Sequence, residues 1–175
     1  MVHTGVKTLN QNDFTEVYKE NLVLYGFAVK HLLEEDEEYQ ISSNLMDIIK
    51  RNLSESDSVY LIRIYDDFSG TQEIVTFVGS EKIFENKNFS LKSITIPRAK
   101  YFMFEYSDNV ENLKEMYIKC YDFLEINNIS LESNFEFEKI YFNSGKKEMY
   151  FPIGKVNVSG VKSIDLTTFL KNNEF

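Results

Sequence analysis

The sequence predicts an α+β fold: two tandem strand-helix-strand-strand units whose antiparallel sheet carries both helices on one face, with a groove along a pseudo-twofold axis. Three observations predict it. First, "RIYDDFSGTQEIVTFVG" (Arg63–Gly79) is echoed by "KIYFNSGKKEMYFPIG" (Lys139–Gly154). Each begins with a basic residue and Ile-Tyr, passes a Ser-Gly pair and closes on glycine, and Glu73 aligns with Glu148. Second, two stretches repeat apolar residues at helical spacing: Leu45, Ile48, Ile49 and Leu53, then Leu113, Met116, Tyr117, Cys120, Phe123 and Leu124. Third, strand-like runs flank both stretches in the same order. The chain therefore reads as a single domain over 1–175, with unit one at about 21–79, unit two at about 99–154 and an extension over 155–175.

In chain order, "DFTEVYKE" (Asp13–Glu20) reads as a short helix. "NLVLYGFAVKHLL" (Asn21–Leu33) is rich in β-formers. Its interior Gly26 marks a bulge or a close backbone approach. The acidic run Glu34–Glu38 is expected as a solvated loop, with Ser42 or Ser43 capping the helix that follows. "DSVYLIRIYDD" (Asp57–Asp67) and "TQEIVTFVG" (Thr71–Gly79) form a hairpin around Ser69-Gly70. "FSLKSITI" (Phe89–Ile96) alternates and reads as a further strand. "AKYFMFEYS" (Ala99–Ser107) opens unit two, and Asp108 with Glu111 has the spacing of a capping box. The closing hairpin turns at Ser144-Gly145. Near Val161–Leu166 the extension fits a strand or a short helix equally well. Tyr65 and Tyr141 become mirror positions on either side of the groove.

Composition narrows the function. A net charge of −9 argues against binding to phosphate backbones. No paired basic helix supports a helix-turn-helix, so no direct nucleic-acid contact is expected. The opening residues contain no apolar run, and the reading is a cytoplasmic protein without membrane contact. One cysteine excludes an internal disulfide framework. It lies within a helical apolar stripe, as a buried inert thiol would. His3 and His31 have no ligand-spaced partners, so neither metal nor cofactor is expected, and His31 should be exposed or hydrogen-bonded. The phosphate-binding and nucleophile-elbow motifs are absent. What remains is a store of 11 tyrosines and 15 phenylalanines, enough to fill a core and also wall a pocket for a flat ligand.

The strand "FEFEKIYF" places Glu136, Glu138, Ile140 and Phe142 on one side and Phe135, Phe137, Lys139 and Tyr141 on the other. A glutamate there would neutralise a cationic ligand or act as a general base if burial raised its pKa. The alternative is a carboxylate paired with a neighbouring basic residue.

"ITIPRAKYFMFEYSDNVENLKEMYIKCYDFLEINN" (Ile94–Asn128), followed by "FEKIYFN" and "EMYFPIG", resembles the GyrI-like small-molecule-binding domain. This is the effector-binding domain of AraC- and MerR-type transcription regulators, which also exists free-standing. The resemblance rests on Ile96-Pro97 leading to Tyr101, the aromatic helix Val110–Ile126, the strand reaching Tyr141 and Asn143, and Pro152-Ile153. It implies a tandem repeat around a ligand groove. It also implies a pocket glutamate two residues before a tyrosine. Counted from Tyr141 that position is Lys139, and Glu138 fills it with a one-residue shift. The expected ligand-binding residues are Glu138, Tyr141, Tyr101, Tyr25, Tyr65 and Tyr150. The expected function is a stand-alone sensor or sequestering module for a small aromatic or amphipathic molecule, with a protein partner as a further option. Two alternatives are a small hydrolase using Glu138 and Tyr141, and an acidic protein that inhibits a DNA-handling enzyme.

Overall fold

The computed structural model describes residues 14–32, 35–51, 53, 58–65, 73–83, 91–107, 113–158 and 163–165. Their elements are β1 (Phe14–Lys19), β2 (Leu22–Leu32), α1 (Glu35–Lys50), β3 (Ser58–Tyr65), β4 (Glu73–Ser80), β5 (Lys92–Ile96), β6 (Ala99–Ser107), α2 (Leu113–Ile126), β7 (Phe135–Tyr141), β8 (Lys146–Pro152) and β9 (Ile164–Asp165). One sheet runs β1-β6-β8-β7-β3-β4-β2-β5, with β9 added parallel to β2 and all other pairs antiparallel. Outward from the β7–β3 junction the order is the same on both sides: β7-β8-β6-β1 and β3-β4-β2-β5. Each half has the connectivity strand, helix, strand, strand.

Two short links force the sheet to curl. Only two residues separate Lys19 from Leu22 in sequence, yet β1 and β2 lie six places apart in the sheet. The same holds for β5 and β6, joined through Pro97 and Arg98. Six strand spacings in a flat sheet would span about 29 Å. Three Cα–Cα steps reach at most about 11 Å. The sheet must therefore roll until its two ends meet, giving a half-barrel. The links lie side by side, and the Arg98 amide donates to Asn21 Oδ1 at 2.7 Å.

The roll explains how a face without helices is buried. On the outer face, α1 packs Ile41, Leu45, Ile48 and Ile49 on Phe27, Val29, Val59, Leu61 and Val78. There too α2 packs Cys120 and Leu124 on Phe104, Met149 and Phe151. The inner face carries Leu24, Tyr60, Ile62, Phe77, Tyr101, Phe137 and Tyr150, closed in part by Val156 and Val158. The register assigns the two faces: Leu61, Glu138, Met149 and Phe104 pair in turn on the outside, and Ile62, Phe137, Tyr150 and Met103 on the inside.

Three local expectations change, and the open choice over the extension is decided. Residues 14–19 form an edge strand along β6 rather than a helix, because pairing outweighs weak local preference. The acidic run enters α1, which begins at Glu35. Acidic residues in a first turn complement the helix macrodipole. The helix therefore starts about two turns before Ser42 and Ser43, which are interior rather than capping residues. The extension contributes β9, a strand. The Ser69-Gly70 turn and the Asp108 cap lie outside the described residues.

Gly26 and Gly79 face each other across β2 and β4. A Cβ on Gly26 would lie 2.0 Å from the Val78 carbonyl oxygen, so the close approach expected of Gly26 is present. At the β7–β8 turn, Gly145 has φ 66° and its amide donates to the Tyr141 carbonyl at 3.0 Å. Asn128, at φ 57°, ends α2, and the Ile129 amide closes back on the Leu124 carbonyl at 2.8 Å.

Candidate functional site

On the inner face, strand alternation gathers Tyr101, Tyr141 and Tyr150 with Glu148. The Glu148 carboxylate accepts O–H bonds from Tyr141 at 2.7 Å and Tyr150 at 2.9 Å. Lys146 Nζ lies 3.7 Å from its other oxygen and 3.0 Å from Glu105. Below this cluster, Tyr150 stacks on Phe137 with ring centroids 4.5 Å apart, and Tyr101 meets Phe137 edge-on at 5.4 Å. The Tyr101 hydroxyl donates to the Pro97 carbonyl at 2.7 Å.

Three ammonium groups lie over this aromatic surface, the first being Lys146, whose Nζ is 5.3 Å from the Tyr141 centroid. Lys139 Nζ lies 4.8 Å from the Tyr141 centroid and 5.6 Å from that of Tyr60. Lys19 Nζ lies 4.4 Å from the Tyr150 centroid and donates to its hydroxyl at 3.3 Å. The Tyr60 hydroxyl donates to Glu81 at 2.9 Å.

The charges are tuned by this packing. Burial works to raise the Glu148 pKa, but the Tyr141 and Tyr150 hydroxyls, Lys146 and Lys139 outweigh it, and the carboxyl sits below its ordinary value. Burial, and then the like charge of Lys139, lowers Lys19. Burial raises Tyr60, Tyr141 and Tyr150, reinforced by the neighbouring carboxylates. These phenols stay protonated and act as donors.

The structure places the other sequence candidates on the outer face. Glu138 is buried there and pairs with Arg63 at 3.3 Å, both side chains at most 5% exposed. Tyr65 donates to Glu136, which also accepts from Tyr121 of α2 at 3.0 Å. Tyr25 shares the face of Phe27, by alternation along β2. The reason is parity: a strand turns alternate residues to opposite faces, so Lys139, not Glu138, shares a face with Tyr141. Tyr65 and Tyr141 are not mirror positions. Leu22 to Ala99 and Ser58 to Phe135 are both steps of 77 between corresponding strand starts. Tyr65 to Tyr141 is a step of 76, and the odd residue reverses the face.

Glu148, Lys19 and Lys139 were not among the sequence candidates. For Glu148 the signal was present: it stands two residues before Tyr150, the glutamate–tyrosine spacing sought around Tyr141. His31 is buried, donating from Nδ1 to its neighbour's carbonyl at 2.9 Å and bonded through Nε2 to Thr76 Oγ1 at 2.7 Å. Among the described residues no group of three His, Cys, Asp or Glu is placed to hold a metal ion, and no helix is long and apolar enough to cross a membrane.

No family model matches the sequence, and no curated protein does. Solved structures do match. An integron cassette protein of Vibrio cholerae superposes with a TM-score of 0.58 at 15% identity, covering 82% of this chain and 97% of the other. A putative transcription regulation protein of Staphylococcus aureus gives 0.59 at 13% identity, covering 80% and 97%. SAV2435, solved bound to tetraphenylphosphonium, gives 0.58 at 12% identity, covering 81% and 93%. The chain has the GyrI-like fold. In this chain the GyrI-like half-barrel turns one aromatic face inward, toward Glu148, and covers the other with both helices.

Proposed function

We propose that this GyrI-like chain is a ligand-binding module that takes a small aromatic molecule against the inner-face rim formed by Tyr141, Tyr150, Lys19 and Lys139. The observation that carries the reading is that Lys19, Lys139 and Lys146 already place ammonium groups over those rings. A cation–π position attracts a cationic ligand when it is vacant. Here Lys139 and Lys19 fill such positions from within the chain. Glu148 is already satisfied by two hydroxyls and Lys146. An incoming cation would add a further positive charge beside Lys19 and Lys139, which already repel, and beside Lys146. An anion would relieve that repulsion. The preferred ligand is therefore an aromatic molecule bearing negative charge, and the two lysines set this preference.

Tetraphenylphosphonium and tetraphenylborate are near-isosteres of opposite charge, so they separate shape from charge. Thermal shift and calorimetry should show the borate binding at least about tenfold more tightly than the phosphonium, a gap of about 1.4 kcal/mol. Lys139→Met should narrow or invert that gap. Preference for the phosphonium would overturn the charge assignment and leave the site standing. Absence of binding by both would overturn the site. The hydrolase alternative has no support in this geometry, because Glu138 and Tyr141 lie on opposite faces of the sheet.

A further inference from the structure

The outer face holds a second cluster that this ligand site does not use. Between α2, the segment that follows it and the ends of β3, β7 and β8 lies a cavity of about 260 Å³. Tyr65, Tyr121 and Glu136 form its polar floor, with Leu131 and Phe151 among its apolar walls. Glu136 is 2% exposed, while Tyr121 and Leu131, at 40% and 38%, form an accessible mouth. The volume lies just below the usual range of small-molecule pockets, roughly 300–1,000 Å³.

We propose that this cavity binds a small molecule presenting a primary ammonium on an apolar body. Glu136 and Glu138 are two residues apart on β7 and point to the same face. Arg63 is the cation at that position of β3: it pairs with Glu138 and stands opposite Glu136 in the register. Among the described residues the cluster thus holds two carboxyl groups around one guanidinium. The Tyr65 and Tyr121 hydroxyls aim two neutral donors at Glu136 but bring no positive charge. An ammonium group would supply the missing charge and donate to the same carboxylate. The rings of Tyr65, Tyr121 and Phe151 surround the remainder of such a molecule, with Tyr121 edge-on to Phe151 at 5.8 Å.

Among the described residues the groups facing Glu136 are Arg63 and Tyr65 from β3, Glu138 from β7, and Tyr121 with the Cys120 thiol from α2. Burial raises the Glu136 pKa more than Arg63 and the two hydroxyls lower it. Amine binding should therefore strengthen as pH rises through that value, while the amine itself remains protonated.

The test uses 2-phenylethylamine and its neutral counterpart 2-phenylethanol, titrated into the full chain by calorimetry and by NMR. At pH 8 the amine should bind about tenfold more tightly than the alcohol, as expected for a charge-assisted contact. It should shift the Tyr121 and Leu131 signals and leave those of Tyr150 unmoved, and the preference should shrink toward pH 5. Glu136→Gln should abolish the preference. Tyr121→Phe removes one donor to Glu136, so the preference should set in at higher pH. Equal binding of amine and alcohol, no binding of either, shifts centred on Tyr150, or a preference that survives Glu136→Gln would overturn the proposal. If Glu136→Gln does not fold, an unchanged pH profile in Tyr121→Phe would do so.

Discussion

Replacing Arg63 with methionine tests the outer-face charge cluster most directly. The guanidinium and the Glu138 carboxylate are 3.3 Å apart, and both side chains are at most 5% exposed. Methionine keeps much of the volume but leaves buried carboxyl groups without their cation. Removing one partner of a buried pair typically costs about 3–5 kcal/mol, because the other is stranded in a medium that solvates it poorly. For a chain of this size each kcal/mol lowers the Tm by about 2–4 °C, so the fall should be about 6–20 °C. Urea unfolding and thermal melts at pH 7 measure both. The variant should recover part of the loss as pH falls and the stranded carboxyls take up protons. Combining Arg63→Met with Glu138→Leu should restore part of the stability, since apolar replacement of a buried pair is often neutral or better while Glu136 still lacks its cation. A loss below about 1 kcal/mol, or a double variant no more stable than the single, would refute the reasoning.

Three further outcomes follow from the packing. Gly26→Ala drives a Cβ to 2.0 Å from a backbone oxygen in the middle of the β2–β4 ladder; it should cost more than about 2 kcal/mol in urea unfolding, because the backbone itself must move. The Glu148 pKa is lower folded than unfolded, so its contribution is present above the ordinary glutamate value of about 4.3 and is lost as pH falls through the folded value. Glu148→Gln should therefore flatten the acid side of a stability profile measured from pH 3 to 7, and an unchanged acid side would contradict the network. The Cys120 thiol is fully buried and its pKa is pushed up, mainly by burial, so an aromatic disulfide reagent should label it only as the protein unfolds in urea.

The sequence made the architecture more legible than the site. Helical stripes such as Ile48-Ile49 and Cys120-Phe123-Leu124 repeat often enough to be read without a partner, and the strand runs around them are rich in β-formers. The edge strand β1 was missed because its structure depends on pairing with β6, some 85 residues away in the chain. The start of α1 was missed because "EEDEE" reads equally as a solvated run and as a charged first turn. The site was harder to read because its chemistry turns on parity. The matching Ile-Tyr pairs drew Tyr65 and Tyr141 together, but the starts of β3 and β7 are 77 residues apart rather than 76, and one residue decides which face a side chain meets. That same residue sends Glu138 to Arg63 and Lys139 to the tyrosines. The roles of Lys19 and Lys139 lie in their position over rings from other strands, and no local pattern announces that.

The two short links have a further consequence. β1 leads into the first half of the chain yet lies against β6 of the second, and β5 leads into the second yet lies against β2 of the first. Each half lends its leading strand to the other, a reciprocal exchange carried out within one molecule. Neither half can complete its own sheet, so the domain should unfold as one cooperative unit. A chain cut in the link between β4 and β5 should yield two fragments that are unfolded apart and fold together when mixed. The β1–β6 pairing closes so long a loop that it belongs to the late, slow part of folding.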